Sequence, residues 1–308
     1  MNQNKHNNTP QISILIPFFG NFDNRRLETA IKSVQDQSEK RIELLICNGI
    51  RAVPFESYSN VQDELKSITN EAIKIKDVPR GIIYNIGIRR ARGEYVYVSD
   101  ADIIFPERFF EELIQTSKAL NTPLQRPMMR RLLLQDFEKF YESCLDKGLQ
   151  DTIKSLDFSQ EFIVKPDKDT RELNVIRKWE NGRIKTFIST VSDFNEYKSN
   201  PENKGQEPIF FNQERHCGST FARKSELENL GGCCEEFISW GCWDADLQWK
   251  LKETYGISYM PGEVIHLDHA KGYFNKEKWQ KDRIFQEKRR AKEASKCVQE
   301  DKEIYLSE

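Results

Sequence analysis

Residues 95–106, YVYVSDADIIFP, constrain this chain more than any other stretch. The apolar and β-branched residues at 95–98 read as a buried strand. That strand runs straight into two carboxylates, Asp100 and Asp102. Strand ends are where an open α/β sheet places its ligands. Side chains two apart on an extended chain share a face, so the pair is expected to converge on one hard cation or its bound phosphates. A solitary D-x-D would read better as a solvated turn, and it is the flanking segments that argue for a site.

Those segments describe an α/β chain. Residues 11–19 (QISILIPFF) form a short apolar strand. Leu27, Ala30, Ile31 and Val34 then recur at helical spacing, and residues 42–47 (IELLIC) make a second buried strand. Strand, helix and strand in that order imply a parallel sheet with a right-handed crossover. Further helices are expected over 61–74, over 81–92 with Gly93 as its cap, and over 107–120. Gly87, inside the second of these, costs about 1 kcal/mol relative to Ala. It is therefore expected to admit a close neighbour, either a nucleotide, another backbone or simply tight packing. Residues 132–149 carry helical periodicity, and Asn181-Gly182 reads as a hairpin turn.

The last third holds the other informative stretches. Residues 231–251, GGCCEEFISWGCWDADLQWKL, combine a Gly-Gly pair, a Trp-Gly turn, Asp244, Asp246 and an amphipathic helix. Residues 264–270, VIHLDHA, place two of the four histidines, His266 and His269, three apart. The charged residues beyond 276 are expected to form a surface helix that frays at its end.

Composition narrows the class. Lys+Arg 47 against Asp+Glu 49 argues against a nucleic-acid partner. Seven cysteines, two of them adjacent at 233 and 234 and none in a C-x-x-C pair, point to reduced thiols rather than a disulfide framework or a zinc site. The first ten residues lack an apolar core, and no run approaches ~18 apolar residues. A cytoplasmic protein with at most peripheral membrane contact is expected.

Taken together, SILIPFF, NIGIRRARGEYVYVSDADIIFP, GG-x-x-E-E-F-x-S-W-G-x-W-D-A-D-L and HLDH resemble nucleotide-sugar glycosyltransferases of the GT-A fold. The nearest likeness is to family 2 enzymes and to a galactosyltransferase-like C-terminal module. The resemblance implies a Rossmann-like, mostly parallel central sheet flanked by helices, with an inserted segment and a C-terminal helical tail. It implies one catalytic domain over 1–275, followed by a charged tail over 276–308. Within that domain the nucleotide-binding half is expected at about 11–120, an insertion at about 121–210, and an acceptor and catalytic half at about 211–275.

Residue roles follow from the same resemblance. Pro17 and Phe18 correspond to positions that contact the nucleotide base, and Asn85 lies in the donor-binding motif. Asp100 and Asp102 match the D-x-D that holds the ribose and a divalent metal. Trp240 and Gly241 match a turn against donor sugar and acceptor. Asp244 matches the general base of inverting members, although the bare sequence also allows a helix cap. His269 matches a metal ligand, and His266 a position that reaches the metal in some members. Two departures stand out. Cys47-Asn48-Gly49 replaces the family 2 D-D-G, and Trp243 stands where the galactosyltransferase-like branch has Glu, which suggests an altered sugar pocket. Asp246 either shares the load of that Glu or caps the helix.

The implied activity is an inverting, metal-dependent hexosyl transfer from a UDP-sugar, with Mn²⁺ or Mg²⁺, to an acceptor hydroxyl in bacterial capsule, lipopolysaccharide or other surface-glycan assembly. The acceptor is a glycan, lipid-linked or free. Two alternatives are a peptide or protein acceptor, and a catalytically degenerate protein that binds nucleotide or glycan.

Overall fold

The computed structural model describes residues 9–18, 24–48, 79–132, 136–156, 161–166, 173–178, 184–189, 209–211, 214–239, 241–267, 269 and 276–307. The helix expected over 61–74 lies outside them. The chain forms two compact units, residues 1–153 with 215–308, and residues 154–214.

The larger unit opens with β1 (Ile12–Phe18), α1 (Asn24–Gln35), β2 (Ile42–Asn48), α2 (Arg80–Arg90), β3 (Tyr95–Val98), β4 (Ile103–Ile104) and α3 (Phe109–Leu120). It continues through β5 (Leu124–Gln125), β6 (Met128–Leu132), α4 (Phe137–Lys147) and α5 (Leu149–Lys154). The smaller unit is an antiparallel sheet of β7 (Glu161–Pro166), β8 (Leu173–Lys178), β9 (Ile184–Ser189) and β10 (Ile209–Phe211), in the order β10-β7-β8-β9. The strands on either side of Asn181-Gly182 are thus hairpin partners, with Lys178 opposite Ile184. After β11 (Glu214–Arg215), the larger unit resumes with β12 (Thr220–Arg223), α6 (Lys224–Asn229), α7 (Trp243–Tyr255), β13 (Ser258–Tyr259), β14 (Glu263–Leu267), α8 (Lys276–Arg290) and α9 (Ala294–Ser307).

Its central sheet has six strands in the order β13-β5-β12-β3-β1-β2. β1 pairs in parallel with β2 and β3, while β12 runs antiparallel to β3 and β5. Every residue of β1 and β3 is buried, as expected for strands covered on both faces. Alternation sorts them: Leu15, Val96 and Val98 enter one apolar cluster, and Ile12, Ile14, Ile16, Tyr95 and Tyr97 enter the other. Helix α2 packs on the first face, where Ile83, Tyr84, Ile86 and Ile88 are all buried. Gly87 serves this packing, because a Cβ there would lie 2.9 Å from Cys47 Sγ and 3.1 Å from a Leu15 methyl. Gly93 is not a left-handed cap. A Cβ there would lie 2.6 Å from Ser13 N, so the glycine admits the neighbouring strand.

The C-terminal residues form two helices, α8 and α9, that are tied to α7 by buried ion pairs. Arg289 donates two hydrogen bonds to Asp246 (2.9 and 3.0 Å) and also reaches Asp301 at 2.7 Å. Lys250, fully buried on α7, donates to Asp301 at 2.5 Å and to the carbonyls of Leu230 and Gly232. Two cations and two carboxylates therefore satisfy one another beneath α7, and Asp246 is neither a helix cap nor a sugar ligand. Among the described residues, no helix is long and apolar enough to cross a membrane.

Because this network is buried, deleting one member leaves unpaired charge behind. Asp301→Ala is expected to cost roughly 3–5 kcal/mol in denaturant unfolding. A loss below about 1 kcal/mol, the range of an exposed pair, would show that the C-terminal helices are not fastened this way.

Candidate active site

The site begins where β3 ends. Ser99 N donates to Leu15 O, and Tyr84 Oη donates to Ser99 O at 3.0 Å, which fixes the chain as it leaves the strand. Residues 101 and 102 then turn, so the two aspartates do not follow the alternation of an extended chain. They part company. Asp100 faces His216 and Arg80, whereas Asp102 faces His266 and His269. The two carboxylates thus have different side-chain partners.

Strand pairing builds the Asp102 position. β14 lies antiparallel to β4 with His266 opposite Ile103, and Leu267 N donates to Asp102 O at 2.8 Å. This register brings His266 Nε2 to 3.3 Å and His269 Nε2 to 3.0 Å from the same oxygen, Asp102 Oδ2. The other oxygen, Oδ1, is buried and has no hydrogen-bond partner among the described residues. The three residues offer ligand atoms within 4.8 Å of one another. Burial by itself would raise the Asp102 carboxyl. The charge and hydrogen bonds of the two imidazoles outweigh it and hold the group well below the usual carboxylate range.

An oxygen donor with two imidazoles suits a borderline divalent ion such as Mn²⁺ better than Mg²⁺. An unpartnered carboxylate oxygen in a buried position is costly unless something binds it. The residues present therefore fit a divalent cation. A second group of potential ligands, Cys234, Asp246 and Asp301, is already neutralised by Arg289 and Lys250.

Asp244 lies in the first turn of α7, almost fully buried, with Oδ1 accepting from Ala245 N at 2.8 Å. It is not the cap. That position belongs to Cys242, at φ 64° and ψ −40°, and Trp243 N donates to Gly241 O at 2.8 Å across it. This is the rarer hand of γ-turn, which strains a residue with a side chain. Gly241, at φ 92°, supplies the other unusual torsion. Burial pushes the Asp244 carboxyl above its usual range, and Asp100 adds to the rise. The Ala245 N–H, Arg126 and His216 oppose it. Desolvation thus outweighs the stabilisation that the N-terminus of α7 offers a carboxylate.

The remaining expected residues fall in several places. Pro17 and Phe18 are buried at the C-terminal end of β1, opposite Cys47 and Asn48 of β2. Asn85 is fully buried and its amide is spoken for. Oδ1 accepts from Cys233 N, while Nδ2 donates to Cys233 O and Glu235 Oε1. Asn85 thus pins the 233–235 loop from within α2. Trp240 lies outside the described residues. Trp243 is buried in the core, stacked on Tyr84 with ring centroids 4.4 Å apart. Cys233 and Cys234 are buried, and burial pushes both thiols up, as expected of fillers.

Residues 13–124 match the family model of glycosyl transferase family 2. Over this segment the chain is similar to glycosyl transferase family 2, and its mixed α/β fold with a six-stranded central sheet flanked by helices is that expected of a GT-A glycosyltransferase. The matched segment runs from β1 to β5 and contains Asp100 and Asp102, while His266, His269 and Asp244 lie beyond it. No curated protein matches the chain.

Sequence reasoning passed over His216, Arg126 and Gln248. His216 Nε2 lies 3.1 Å from Asp100 Oδ2. Gln248 donates to Cys217 O and Ser219 O and accepts from Arg126 Nε at 2.7 Å. The available signal was HCGSTFAR, a histidine and glycine just before a strand. It becomes informative only once β12 is known to pair with β3.

Proposed function

We propose that the protein is an inverting, metal-dependent glycosyltransferase that moves a sugar from a UDP-sugar to an acceptor hydroxyl. The observation that carries this reading is the Asp102–His266–His269 cluster with its unpartnered oxygen, formed where the turn after β3, inside the family 2 segment, meets the end of β14. In this reading these three residues hold Mn²⁺ or Mg²⁺. A divalent ion supplies Lewis acidity, which neutralises the charge growing on the leaving diphosphate.

The chain's own groups complete the proposal. Asp100, beside the cluster but not part of it, accepts hydrogen bonds from the ribose. Asp244 takes the proton of the attacking hydroxyl on the opposite side of the sugar from the diphosphate. Its burial suits that role, since a carboxylate raised above its usual range is a stronger base. Pro17, Phe18, Trp240 and Gly241 are proposed to line the nucleotide and sugar positions. Asn85 contributes through the loop it pins. We further propose that the enzyme works in the cytoplasm, in bacterial capsule, lipopolysaccharide or other surface-glycan assembly, with a glycan acceptor.

Three measurements test the reading. With Mn²⁺ and a panel of UDP-sugars, UDP release should be detectable, inhibited by a chelator and restored by added metal. No release with any donor, with or without glycan acceptors, would contradict it. Asp244→Asn should leave UDP affinity unchanged and lower kcat by about 10²–10⁴-fold. In the wild type, kcat/KM should fall on the acid side as Asp244 takes up its proton. Because burial raises that pKa, the midpoint should lie above the ordinary carboxylate value of about 3.9. A profile flat down to about pH 4 would remove Asp244 as the base.

A further inference from the structure

Asp100 is held by a closed ring of side chains that begins and ends on one strand. His216 is buried, with Nε2 at 3.1 Å from Asp100 Oδ2 and Nδ1 at 2.7 Å from Ser219 Oγ. Ser219 Oγ is in turn 2.6 Å from Tyr97 Oη. Tyr97 belongs to β3, so the ring leaves that strand at Tyr97 and returns just past its end at Asp100. The phenol itself is fixed by edge-on packing against Phe105, Phe109 and Phe110.

The protons in this ring can run in one consistent direction. Tyr97 donates to Ser219, Ser219 donates to His216 Nδ1, and the Nε2 proton of a neutral imidazole reaches Asp100. Each hydroxyl then uses its proton, and no buried donor is wasted. The loop backbone closes in as well. A Cβ at Gly218 would lie 2.8 Å from Asp100 Oδ2 and 3.2 Å from His216 Cε1.

The same loop is tied to the helix that carries Asp244. Gln248, one turn after Asp244 on α7, donates to Cys217 O at 2.7 Å and to Ser219 O at 3.2 Å. Residues 216–219 therefore bridge the strand end that presents Asp100 and the helix that presents Asp244.

We infer that His216 is a positioning residue, which orients the Asp100 carboxylate toward a donor hydroxyl through the Tyr97–Ser219–His216 ring, while Gln248 sets the span to Asp244. The inference rests on the donor reading above, in which Asp100 contacts the nucleotide. His216 lies outside residues 13–124, so the family match does not assign it a role. Fixing a carboxylate before the ligand arrives removes the cost of ordering it on binding.

The test is calorimetry of UDP binding in the presence of Mn²⁺, together with donor and acceptor KM, on the full chain. His216→Ala should weaken UDP binding by about tenfold or more, the loss of one charge-assisted hydrogen bond. Donor KM should rise while acceptor KM and the melting temperature stay near wild type. His216→Gln, whose amide keeps an N–H for Asp100, should recover most of the loss. Ser219→Ala, which keeps the imidazole but cuts it from Tyr97, should fall between. If His216→Ala fails to fold, the Gln and Ser219 variants decide. Wild-type affinity in His216→Ala or Ser219→Ala, or a loss that His216→Gln does not relieve, overturns this inference alone. Wild-type protein that binds no UDP overturns the donor reading, and the inference with it.

Discussion

A single buried carboxylate oxygen holds the two ends of this site together. Asp102 Oδ2 meets both His266 and His269, and its backbone carbonyl accepts from Leu267 N. A carboxylate taken out of water is tolerated only where cations or hydrogen-bond donors replace the lost solvation. The turn after β3 and the end of β14, far apart in sequence, must therefore meet. Once they do, β14 pairs with β4 and β6, and the edge of the site is set.

The second constraint comes from the C-terminal helices. Asp282 accepts from Ile238 N and Ser239 N, and Gln286 donates to Cys242 O at 2.9 Å. Arg289 and Asp301 grip α7 through Asp246 and Lys250. These contacts hold the strained turn at Gly241 and Cys242, which would relax if nothing opposed it. The position of Asp244 at the start of α7 thus depends on residues that carry no chemistry themselves. The charged last segment is tied to α7 and to the turn before it.

Much of this could be read from the residues because burial leaves a direct trace in composition. β1, β2 and β3 are continuous apolar runs, as strands covered on both faces must be. The strand-end position of Asp100 and Asp102 followed from where the apolar run stopped, and HLDH from its own residue types. What was illegible depended on partners distant in sequence. A turn at 101–102, set by its surroundings, separates two aspartates that local alternation would have aligned. Asp246 read as a helix cap or as a stand-in for the missing Glu until Arg289 came to meet it, and Asn85 read as a donor-binding residue although loop 233–235 uses both ends of its amide. His216 gave no periodic signal, because its meaning lies in the β12–β3 register and the bonds that register allows.

The central claim is that Asp102, His266 and His269 hold the divalent ion on which sugar transfer depends. Its most direct test is anomalous diffraction from crystals grown with Mn²⁺ and UDP. The expected result is a manganese peak in contact with Asp102 and at least His269, with the diphosphate against it. A diphosphate seated elsewhere, or a manganese peak on other residues with none at these three, would contradict the account.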